Sequence, residues 1–93
     1  MEFGLDDKVM RLIRGAIGAF EIPKAVMFGS RAKGNFKYNS DIDICIWKND
    51  ETASDLHSTL SALPTPYKFD VVDFDSIKNE DLKEHILRVG KVI

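Results

Sequence analysis

Between Asp6 and Phe20 the apolar residues Val9, Leu12, Ile13, Ile17 and Phe20 recur at three- and four-residue spacing, the pattern of one buried helix face. Pro23 forbids continuation of that helix. The apolar run Lys24–Phe28, ended by Gly29, predicts a short buried strand followed at once by a tight turn. Ser30–Lys33 predicts a short helix stopped by Gly34, and the polar stretch Asn35–Ser40 predicts a loop. In Asp41–Trp47 the pattern changes to alternation: Ile42, Ile44 and Ile46 line one face of a strand, and Asp41, Asp43, Cys45 and Trp47 line the other. Leu56, Leu60 and Leu63 predict a second helix over Thr52–Leu63, closed by Pro64 and Pro66. Lys68–Asp73 predicts a third strand, with Asp70 and Val72 on one face and Phe69, Val71 and Asp73 on the other. Leu82, Ile86 and Val89 form the apolar face of a last helix, Asn79–Val89, which Gly90 terminates.

This order has no repeat, low-complexity stretch or linker, and it describes one α/β (α+β) domain over residues 1–93, a small sheet covered by helices. The length leaves no room for a catalytic domain plus a separate acceptor-binding domain, so an acceptor must be bound by this domain or by another chain. Thirteen basic against fifteen acidic residues give a formal charge of −2, which excludes a global positive field for long nucleic-acid backbones. Nucleic acid is therefore not expected as the main partner. Cys45 has no second cysteine to pair with and falls in an apolar run, where a buried structural thiol is expected. No apolar run approaches the roughly 20 residues that span a bilayer, so no membrane association and a cytoplasmic location are expected.

Three features carry candidate chemistry. Gly29-Ser30 follows a strand and opens a helix, which presents backbone N–H groups and a hydroxyl suited to the oxygens of a triphosphate. A side chain in place of Gly29 would hold phosphates off the backbone. Asp41-x-Asp43 puts two carboxylates on one side of a strand, an arrangement that suits magnesium, which is usually held by one or two carboxylates together with substrate phosphates. Asp70, on the corresponding face of the third strand, is positioned to bind a second metal ion or to accept the proton of an attacking hydroxyl. Taken singly, each feature has an ordinary explanation as a turn, an edge strand's solvent face or a surface carboxylate. Together they are harder to dismiss, because close like charges repel unless a cation joins them. Asp73 and Asp75 become alternatives to Asp70 only if the strand register shifts by a residue.

The full string GSRAKGNFKYNSDIDICIW, from Gly29 to Trp47, with ten residues between Ser30 and Asp41, resembles the signature of the DNA polymerase β-like nucleotidyltransferases. It is most similar to the minimal nucleotidyltransferases that form the antitoxin half of a toxin–antitoxin pair with a HEPN-domain protein. The resemblance implies a palm-like fold with a small mixed sheet, Gly29 and Ser30 on the triphosphate, Asp41 and Asp43 on magnesium, and Asp70 as the third carboxylate. Arg31 and Lys33 occupy positions that are commonly basic in the family and become candidate phosphate contacts. The implied activity is magnesium-dependent transfer of a nucleoside monophosphate, AMP from ATP, with two metal ions. The implied partner is a HEPN toxin modified on a tyrosine hydroxyl.

Two readings from other classes compete with this one. A binding module would neutralise its partner by covering it, with the metal site unused, and exposed apolar helix faces on a small domain suit that. A transferase acting on a small molecule such as an aminoglycoside would need an acceptor domain that is not in this sequence. His57 and His85 have no Cys or His at metal-ligand spacing and receive no role. Trp47 is expected to pack in the core, whereas Phe36 and Tyr38, in the loop before the acidic pair, are candidates for contact with a nucleobase or a partner.

Overall fold

The computed structural model describes residues 1–93, the whole sequence. Helix α1 spans Asp7–Ala19, and its first turn is closed by the Asp6 carboxylate, which accepts from the Val9 N–H at 2.9 Å. Strand β1 (Ala25–Phe28) leads directly into the short helix α2 (Gly29–Lys33). Strand β2 covers Ile42–Ile46 and β3 covers Phe69–Asp73, each inside the stretch its alternation predicts. Helix α3 (Asp50–Ser61) begins two residues before the leucine spacing indicates, because the Asn49 side chain caps it by accepting from Thr52 N–H. Helix α4 (Glu80–Val89) is capped in the same way by Asn79. A short strand, β4 (Lys91–Val92), follows Gly90 and lies outside the predicted elements.

The four strands form one mixed sheet in the order β3-β2-β1-β4. Strands β2 and β3 are parallel, with α3 as the crossover, and β1 runs antiparallel to both β2 and β4. The larger core lies on one face, where Met27, Ile42, Ile44, Ile46 and Phe69 meet Leu5, apolar residues of α1 such as Ile13, and Leu56 and Leu60 of α3. On the opposite face Val26, Phe28 and Cys45 pack against Ile86 of α4, flanked by Leu82 and Val89. Cys45 is fully buried there, and its burial, reinforced by Asp73 and Asp75, pushes the thiol pKa up to about 12. Trp47 completes this layer by stacking on Phe74, with ring centroids 4.9 Å apart. No helix is long and apolar enough to cross a membrane.

Candidate active site

The register of the sheet assembles the carboxylates. Asp43 lies opposite Phe28 of antiparallel β1 and opposite Asp70 of parallel β3. Because directly paired residues project to the same face, Asp43 and Asp70 stand side by side on the α4 face of the sheet. Asp41 immediately precedes β2, two residues from Asp43, and its charge acts on Asp43. Asp43 is half-buried, and Asp41 and Asp70 are exposed.

The turn after β1 closes against this group. Gly29 has φ +71°, a conformation that L side chains rarely adopt, and a Cβ built there would sit 2.2 Å from Asp43 Oδ2. Glycine is therefore required by the contact between turn and carboxylate as well as by the backbone angle. Ser30 follows in the first turn of α2, where amide N–H groups lack intrahelical partners.

Asp43 carries the electrostatic cost of the arrangement. Burial first, then the charges of Asp70 and Asp41, raise its pKa to about 6. A hard divalent cation among these oxygens would relieve the repulsion. The three carboxylates do not by themselves close into a complete metal cage. Magnesium is usually held by one or two carboxylates and completes its shell with phosphate and water oxygens, so Asp43 and Asp41 are the residues that would hold it.

The other residues singled out from the sequence separate into distinct environments. Arg31, expected from the resemblance to meet phosphate, is only 2% exposed, and its guanidinium donates to the carbonyls of Phe3, Tyr38 and Ser40. Those bonds engage Nε, Nη1 and both N–H groups of Nη2, and burial lowers its pKa. Lys33 is exposed on the last turn of α2. Phe36, expected to face a nucleobase or partner, is half-buried against Gly4 and the Arg31 guanidinium, whereas Tyr38 is 83% exposed. Asp73 is buried on the opposite face from Asp43 and accepts from Lys48 N–H and Ser76 Oγ, a structural arrangement that takes it out of the carboxylate group. Asp75 lies in the 3-10 turn Phe74–Ser76 beyond β3.

One neighbour of the site carried no signal in the sequence beyond its helix-face position beside Leu82 and Val89. The His85 ring of α4 meets Phe28 edge-on at 6.2 Å between centroids, on the sheet face that holds Asp43 and Asp70. The largest surface depression, about 530 Å³, lies elsewhere, between the N-terminal segment, Arg31, Phe36 and Lys91. It holds none of the carboxylates.

Comparison with known proteins gives matches in families and in solved structures. Residues 12–93 match the protein family described as Polymerase beta, Nucleotidyltransferase. No curated protein sequence matches the chain. Among solved structures, the chain is similar to a toxin–antitoxin crystallised with AMP-PNP, at 29% identity and TM-score 0.60, covering 92% of this chain and 69% of that one. It is also similar to two variants of the MntA-HpeT toxin–antitoxin. One carries a tyrosine-to-alanine change, at 28% identity and TM-score 0.59, covering 96% of this chain and 72% of that one. The other carries two aspartate-to-glutamate changes, at 26% identity and TM-score 0.57, covering 95% and 71%.

Proposed function

Starting from a chain that belongs to the Polymerase beta nucleotidyltransferase family, we propose that it transfers AMP from ATP, with magnesium, onto a tyrosine hydroxyl of a HEPN toxin and thereby acts as an antitoxin. The observation that carries the chemistry is the contact of turn and carboxylates: Gly29 leaves room for Asp43, and Asp43 stands beside Asp70. In this reading Gly29 and Ser30 receive the triphosphate, the small turn letting phosphate oxygens approach the backbone N–H groups. Asp41 and Asp43 would hold magnesium, with Asp70 as the third carboxylate. Bound there, the metal supplies charge neutralisation on the triphosphate and on the attacking and leaving oxygens. Asp70, exposed and adjacent to Asp43, would accept the proton of the incoming hydroxyl. The protein partner supplies the acceptor, in keeping with neighbours that are toxin–antitoxin structures.

The test is incubation of the protein with magnesium, α-labelled ATP and a co-expressed HEPN toxin, alongside the Asp41→Ala/Asp43→Ala variant. Label on a toxin tyrosine that needs both carboxylates is the expected result. A folded double variant that still transfers label would place the chemistry elsewhere. Absence of label in the wild type, with neutralisation intact, would make the protein an antitoxin that acts by covering its partner.

A further inference from the structure

The environment of Arg31 ties the two halves of the site together. Its Nε and Nη2 both donate to the carbonyl of Ser40, at 3.1 and 3.0 Å, Nη2 also donates to Tyr38 at 2.9 Å, and Nη1 donates to Phe3 at 2.8 Å. The guanidinium also lies against two aromatic rings, Phe36 at 5.2 Å and Tyr67 at 5.0 Å. Phe36 is seated over Gly4, where a Cβ would come within 2.1 Å of its ring. Arg31 belongs to α2, one residue after Ser30, and Ser40 is the residue before Asp41. The loop that separates the triphosphate turn from the acidic strand is thus pinned, at its far end, to a side chain of the turn's own helix.

We infer that Arg31 is a positioning residue: it fixes the distance between the Gly29-Ser30 turn and the Asp41/Asp43 pair by holding the Ser40 carbonyl, without touching the nucleotide. A buried charge held by three carbonyls between two aromatic rings needs several donors in a fixed plane, which guanidinium provides and ammonium does not. Lysine is therefore an incomplete substitute here although it keeps the charge. This inference rests on the nucleotidyltransferase reading for its consequence in catalysis, and on the hydrogen bonds alone for its consequence in the loop.

The experiment compares wild type, Arg31→Lys and Arg31→Ala, all checked for folding by circular dichroism. Two readouts are taken: amide hydrogen exchange at residues 38–42, and the kcat and nucleotide KM of transfer. Exchange at the loop is expected to rise about tenfold in Arg31→Lys while the β2 core stays protected. A displacement of the acidic pair by about 1 Å lowers kcat about 100-fold with KM little changed. Added guanidinium should recover kcat in Arg31→Ala, because it refills the space between Phe36 and Tyr67. Unchanged exchange at residues 38–42 in folded Arg31→Lys, or a loss confined to nucleotide KM with no recovery by guanidinium, overturns the inference. If the wild type transfers nothing, the proposed activity fails, and the exchange readout still decides the role of Arg31. Should Arg31→Ala not fold, Arg31→Lys carries both readouts.

Discussion

Asp43 is the residue at which stability and chemistry oppose each other. Its folded-state pKa of about 6 exceeds the value of about 3.9 for an unfolded aspartate. The fold therefore favours the protonated form. The stability this contributes is complete below the unfolded pKa and is lost as pH rises through about 6. In metal-free protein at about pH 7.5, Asp43→Asn is expected to be more stable than wild type by about 1 kcal/mol, a figure reduced for the solvent screening of a half-buried group. Near pH 4 that advantage should vanish, and urea unfolding in EDTA at the two pH values measures it. Gly29 is constrained from the opposite direction. Gly29→Ala meets both the positive φ and the Asp43 oxygen, and is expected to cost about 1–3 kcal/mol and to abolish nucleotide transfer, read by urea unfolding and by label incorporation.

Among the helices, α4 has the least buried support. It contributes one fully buried residue, Ile86, and closes the sheet face on which His85 approaches Phe28. Its first turn depends on the Asn79 side chain, which accepts from Leu82 N–H at 3.1 Å. Asn79→Ala should cost about 1 kcal/mol and lower Tm by roughly 4–8 °C, with faster amide exchange confined first to residues 80–83. Equal exchange in mutant and wild type would show that packing, not the cap, holds this turn. Strands β2 and β3 were legible because alternation is a local property: Ile42, Ile44 and Ile46 against Asp43 and Cys45 marks the strand β2 and the face that the larger core covers. β4 was not, since two residues carry no period. It exists because the free edge of β1 pairs with Lys91 and Val92, and Ile93 N–H beyond them donates to the Ala25 carbonyl.

At the scale of the whole molecule the sheet separates two cores, and Cys45 reports on the thinner one. The thiol is 0% exposed beneath α4, and its pKa is pushed up to about 12. Reaction with a thiol reagent at about pH 8 should therefore be negligible in the native protein and complete in denaturant. If reaction occurs natively, its rate should follow the opening of α4 rather than global unfolding, a distinction that the Asn79→Ala variant makes visible.

The sequence by itself determined the four helices, the first three strands and their apolar faces, and it singled out Asp41, Asp43 and Asp70 as a candidate acidic group. Those follow from periodicity and from the few residue types that suit magnesium and phosphate. It also favoured Asp70 over Asp73, since strand parity alone sends the two to opposite faces. Only the tertiary structure decided that Asp70 stands level with Asp43, because parallel register is set by the crossover through α3 and not by either strand. Only the tertiary structure showed the partners of Arg31. Its partners are main-chain carbonyls 7, 9 and 28 residues away, and a backbone carbonyl is the same group in every residue, so no pattern of side chains can announce that bond.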